Sequence, residues 1–94
     1  MTRERLTEDE ILERVGQLSG WNAVDGTLRK RFEFANFAES LAFVNRAGEL
    51  AEAADHHPDI KMGWGYAEFE STTHDRGGLT ALDFELAGKI DRLG

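Results

Sequence analysis

The chain has 94 residues, of which 40% are hydrophobic and 31% charged, a balance that supports a folded globular domain and excludes intrinsic disorder. A net charge of -7 repels phosphate backbones, so nucleic-acid binding is not the expected task, and Arg29-Lys30-Arg31 is the one basic run. The absence of cysteine removes disulfides and thiolate metal sites and leaves core packing, with self-association, to hold the fold. Residues 1–94 are expected to form one domain. No apolar run approaches the ~18 residues needed to cross a bilayer, and the opening MTRERLTEDE lacks the apolar stretch of a secretory leader. The expected location is the cytoplasm, away from membranes.

Thr7 and Glu10 have the spacing of a capping box, and Glu8 and Asp9 put negative charge in the first turn, where the helix dipole favours it. Ile11, Leu12, Val15 and Leu18 continue at helical spacing, with Gly20 as the predicted stop. Asp25-Gly26 then separates two short runs in WNAVDGTLRKRFEF, which predicts a β-hairpin. Alternation puts Leu28, Lys30, Phe32 and Phe34 on one face and Arg29, Arg31 and Glu33 on the other.

Asn36 and Glu39 repeat the cap spacing and start the longest predicted helix, Phe37 to about Ala54. At 100° per residue, Phe37, Leu41, Phe43, Val44, Ala47, Leu50, Ala51 and Ala54 fall on one apolar arc, with Glu39, Arg46 and Glu49 opposite. Glu52 lies at the border, where a side chain can reach over a sheet edge into a cleft. Ile60, Met62, Trp64, Tyr66 and Phe69 around Gly63 and Gly65 predict a second hairpin. Thr80 and Asp83 open a last helix carrying Leu82, Phe84, Leu86, Ile90 and Leu93. The predicted fold is α+β: a four-stranded antiparallel sheet with three helices packed on one face, in the order α-β-β-α-β-β-α.

Two of the three histidines, His56 and His57, stand side by side before the single proline, Pro58. Pro58 biases His57 toward extended backbone, where neighbouring side chains point to opposite sides, so the two cannot share one task. His74 follows the second hairpin, which can return it to the pair. Imidazoles that titrate near neutrality can give a proton at one site and take one at another, which suits an elimination. Zinc held by His56, His57, His74 and a carboxylate is the alternative, although adjacent histidines lack the usual ligand spacing.

DHHPDI, the aromatic hairpin after it, and TTHDRGGLTALDF together resemble the pterin-4a-carbinolamine dehydratases. GWNAVDG and FEFANFAESLAFVNRAGELAE extend the similarity over nearly the whole chain. The residues that carry the motif are Glu52, His56, His57, Pro58, Trp64, His74 and Asp83. The chain departs from the family pattern at Gly63, Gly65, Tyr66 and Ala67, and Phe84 stands where some members have tryptophan.

The resemblance implies an enzyme that needs no metal or other cofactor and removes water from a 4a-hydroxytetrahydropterin to give the quinonoid dihydropterin, in tetrahydrobiopterin recycling. By carry-over, His56 and His74 move protons and His57 binds the pterin. Asp83 is expected to orient His74 and favour its protonated form, besides capping the last helix. Glu52 is expected to bond the histidine pair or the pterin, with a solvated helix residue as the plain alternative. Asp55, Pro58, Thr73 and Asp75 are the remaining expected substrate contacts. The resemblance further implies homodimers or homotetramers and an aromatic amino acid hydroxylase in the same pathway. Mammalian members also serve a hepatocyte transcription factor as dimerisation partners, so a non-enzymatic binding module is the other reading.

Overall fold

Every predicted element forms in the computed structural model, which describes residues 4–93. In chain order these are α1 (Glu8–Gly16), β1 (Asn22–Val24), β2 (Thr27–Glu33), α2 (Phe37–Ala54), β3 (Asp59–Gly63), β4 (Tyr66–Ser71), a 3₁₀ turn (His74–Arg76) and α3 (Ala81–Asp91). The strands form one antiparallel sheet in the order β1-β2-β4-β3, and the fold is α+β. Among the described residues, no helix is long and apolar enough to cross a membrane.

Local chemistry accounts for the boundaries. Thr7 and Glu10 close a full capping box at the start of α1. α1 ends at Gly16, short of the Gly20 stop, because the Gln17 and Leu18 amides tighten onto the Arg14 and Val15 carbonyls. Gly20 takes a positive φ of 81° and turns the chain into β1. At α2 the cap is simpler than expected: Asn36 Oδ1 accepts the Glu39 amide, but the Glu39 carboxylate accepts from Ala35.

Register decides what is buried. Leu28 stands opposite Ser71, Lys30 opposite Phe69 and Phe32 opposite Ala67, while Ile60 faces Phe69 and Met62 faces Ala67 from β3. These inward rows meet Phe43, Ala47 and Ala51 of α2 and Phe84, Leu86, Ala87 and Ile90 of α3. Ile11 and Val15 bring α1 onto the same cluster. Burial of side chains of this size stabilises a fold by roughly 1.5–3 kcal/mol each. Phe37 and Leu41 depart from the predicted arc and remain exposed, whereas Ser40 between them is buried with its hydroxyl on the Gly63 carbonyl at 2.7 Å.

The basic run is dispersed by strand alternation. Lys30 points inward, pairs with Asp91 at 2.9 Å, donates to the Ser19 carbonyl and lies 4.5 Å from the Phe32 ring centre. Trp21 donates its indole N–H to the same Asp91. Arg29 pairs with Glu70, and Arg31 with Glu68 and Glu33, on the opposite, solvated face. Each member of the run thus has an acidic partner of its own.

Candidate active site

Asp55 ends α2 in the left-handed region, φ 52°, with its amide on the Ala51 and Glu52 carbonyls. Aspartate tolerates that conformation better than most residues, and Pro58 cannot continue a helix. The reversal directs the His56 amide back to the Ala51 carbonyl at 3.1 Å and turns the His56 side chain into the protein, where 7% of it is exposed. Asp55, expected to contact substrate, thus has a backbone task of its own at the helix end.

The interior partner of His56 is Asp83. Its carboxylate has no exposed surface and takes four hydrogen bonds. Oδ1 accepts from His56 Nε2 at 2.6 Å and from the Ser71 hydroxyl at 2.6 Å. Oδ2 accepts from the Thr73 hydroxyl at 2.8 Å and from the Thr80 amide at 3.0 Å. The last of these is half of the capping box that starts α3, so helix cap and histidine partner are the same group. A buried carboxylate without such donors would be strongly unfavourable, and charge-assisted bonds of this kind are the strong ones. A carboxylate accepting from Nε2 favours the tautomer with the proton there and leaves Nδ1 outside this network.

Asp83 and His74 do not pair as the resemblance implies. Ser71 and Thr73 point inward from the end of β4, so the residue after Thr73 falls on the outside, and His74 is exposed at the start of the 3₁₀ turn. Its link to Asp83 runs through the neighbouring Thr73, whose hydroxyl also meets that of Thr80 at 2.8 Å. Asp75 lies in the same exposed turn. The turn is held by the Thr73 amide on the Gly78 carbonyl and by Thr72, whose hydroxyl donates to the Gly26 carbonyl in the first hairpin.

His57 points outward, as extended backbone before Pro58 requires, and its Nε2 lies 3.0 Å from Glu52 Oε1. Both side chains are exposed, which leaves this pair free to meet a ligand. β3 starts one residue beyond Pro58, and its Asp59 pairs with Glu70 near the end of β4. That register brings the His56-His57 corner and the His74 turn to one end of the sheet. Trp64 does not join them: it lies at the other end of the β3–β4 hairpin, 71% exposed, with the whole length of β3, about 16 Å at the rise of an extended strand, between it and the histidine corner. Among the described residues, no group of three histidine, aspartate or glutamate side chains is placed to hold a metal ion, so the zinc alternative has no ligand set there.

One member of the network, Ser71, escapes a reading by motif. Ser71 and Thr80, the latter expected as the cap of the last helix, are both buried with their hydroxyls inside the Asp83 cluster. A signal for Ser71 existed, because strand alternation from Ala67 and Phe69 puts a polar residue at the next inward position. Such a residue requires a buried partner.

Residues 4–93 match the sequence profile of the pterin 4 alpha carbinolamine dehydratase family. A protein of Picosynechococcus sp. named "Putative pterin-4-alpha-carbinolamine dehydratase" is 49% identical over 89 residues, 95% of this chain and 97% of that one. The crystal structure described as a transcriptional coactivator/pterin dehydratase from Brucella melitensis superposes with a TM-score of 0.92 at 33% identity, covering 96% of this chain and 98% of its own. A pterin dehydratase-like protein identified as a RuBisCO assembly factor in the alpha-carboxysome superposes with a TM-score of 0.65 at 26% identity, covering 78% and 84%. With the histidine corner, the buried aspartate and the antiparallel sheet all in place, and a profile match that spans the described residues, the chain belongs to the pterin 4 alpha carbinolamine dehydratase family.

Proposed function

We propose that the protein catalyses loss of water from a 4a-hydroxytetrahydropterin to give the quinonoid dihydropterin, the finer activity that its family membership points to. The observation that carries this reading is the buried His56–Asp83 pair, set at the same end of the sheet as the exposed His57–Glu52 pair and the His74 turn. The C4a–O bond breaks as the hydroxyl takes a proton and leaves as water. A ring nitrogen gives up a proton as the new C=N bond forms, which leaves the acid one proton short and the base one proton richer until exchange with solvent resets both.

His56 serves as the base through Nδ1, its Nε2 proton being held by Asp83. The imidazolium that forms is stabilised by the carboxylate beneath it. His74, exposed to solvent and able to exchange its proton, serves as the acid for the leaving hydroxyl. His57 binds the pterin while Glu52 holds its ring. No metal or organic cofactor is needed for this balance of protons.

Stopped-flow absorbance that follows decay of the 4a-hydroxy intermediate, with and without protein and with a chelator present throughout, tests the reading. Acceleration over the protein-free rate is expected whenever protein is present; decay at the uncatalysed rate, or acceleration restored only by added zinc, contradicts it.

The second reading, a binding module without catalysis, draws on apolar exposure. Trp64 is 71%, Phe37 46% and Leu41 41% exposed, and the Ser40–Gly63 bond ties the start of α2 to the hairpin that bears Trp64. A pure binding module has no use for His74, so His74→Ala leaving every function intact would favour it.

A further inference from the structure

Ser71 is 3% exposed and stands opposite fully buried Leu28, at the last position of β4. Its hydroxyl donates to Oδ1 of Asp83, the same oxygen that receives the His56 Nε2 proton, at the same separation of 2.6 Å. The other oxygen is held on its own side by Thr73 and by the Thr80 amide. Among the described residues, Ser71 is therefore the protein donor that fixes Oδ1 independently of the histidine. Without it the carboxylate remains anchored at Oδ2 and can pivot, so that Oδ1 follows the imidazole instead of directing it.

We propose that Ser71 is a positioning residue for catalysis: it locks the Asp83 carboxylate in the orientation that holds His56 as the Nε2–H tautomer and keeps Nδ1 available for substrate. This inference rests on the dehydratase reading of the site. Ser71 does not face the ligand, so its action passes entirely through Asp83 to His56. Among the described residues, the Ser71 hydroxyl bonds to Asp83 alone, at an inward position that Ala67 and Phe69 fill with apolar side chains earlier in the strand.

The test compares Ser71→Val with Ser71→Thr, two side chains of nearly equal shape that differ in the hydroxyl, with Ser71→Ala as the smaller variant should valine disturb the strand. Two readouts are taken on the intact protein. The first is the nitrogen NMR spectrum of His56 and the exchange rate of its Nε2 proton, which needs no substrate. The second is kcat and KM for dehydration. Removing the hydroxyl is expected to speed proton exchange at least tenfold, to introduce the Nδ1–H tautomer, and to lower kcat about tenfold with KM within twofold of the parent. Ser71→Thr is expected to restore both.

Unchanged tautomer and exchange in Ser71→Val or Ser71→Ala would overturn the positioning role, whatever the enzyme does. An altered tautomer with unchanged kcat would overturn its catalytic part. A wild-type protein that shows no dehydration sinks the functional reading instead, and the NMR comparison still decides whether Ser71 directs His56.

Discussion

His56 Nε2 and Asp83 Oδ1 lie 2.6 Å apart, joined across 27 residues of sequence with the carboxylate wholly inside the protein. Asp83 therefore carries both a helix cap and a buried histidine, and no neutral side chain can meet all four donors that converge on it. In Asp83→Asn the amide nitrogen must face at least one of those donors. We expect a loss of about 3 kcal/mol in unfolding free energy, in keeping with a broken buried charge-assisted network, together with a fall in kcat. Urea denaturation checks the first; a loss below about 1 kcal/mol, the usual scale for an exposed cap, would contradict the network.

His74 and His56 should separate stability from rate. His74→Ala, at an exposed position of a short turn, should leave stability within about 0.5 kcal/mol while lowering the dehydration rate by roughly 10²- to 10⁴-fold. His56→Ala should lower both, because it also strips Asp83 of a donor. Stopped-flow rates set beside thermal melts make the comparison. A His74→Ala protein with the parent rate would remove His74 from the reaction and leave His56 to work with water.

Gly63 is required by the ring of Tyr66. A Cβ at residue 63 would lie 2.6 Å from Tyr66 Cε1 and 2.9 Å from its Oη, and the ring is backed by the Arg31 guanidinium at 4.3 Å. Gly63→Ala should cost about 1–3 kcal/mol, the range for overpacking, and Tyr66→Ala in the same chain should recover part of it. Additive losses in the double variant, read from urea midpoints, would show that the two residues do not compete for space. Of the departures noted at Gly63, Gly65, Tyr66 and Ala67, the pairing of Gly63 with Tyr66 thus has a packing cause, the ring occupying the space a Cβ would take.

A pH dependence follows from α1. The Thr7 amide and then the Thr7 hydroxyl, bonding to Glu10 across the capping box, hold the Glu10 carboxyl below its ordinary value of 4.5. A lowered folded-state pKa stabilises the fold above the unfolded value, and that contribution disappears as pH falls through the folded one. Amide exchange in the first turn of α1 should therefore be faster in Glu10→Gln than in the parent at pH 7, and the two should converge as pH falls through the lowered folded-state pKa. A difference that stays unchanged down the whole acid limb would assign the effect to shape and not to charge.

What lay in the sequence by itself was whatever depends on neighbours in the chain. The Thr7–Glu10 and Thr80–Asp83 boxes, the Asp25-Gly26 turn, the alternation that sends Lys30 inward between two outward arginines, and the opposite senses of His56 and His57 all follow from spacing of a few residues. The family motif likewise identified the histidines and Asp83 as a set. Only the tertiary structure decided how that set is wired. Asp83 meets His56 instead of His74 because the end of β4 turns Ser71 and Thr73 inward and His74 outward, just where Asp55 reverses α2 and drives His56 into the same space. Trp64 belongs to the motif but stands at the far end of a hairpin whose length sets it apart. Hydrogen bonds between residues 12 or 27 positions apart are made by packing three elements against one another, and the geometry of that packing is a property of the assembled core that no local spacing encodes.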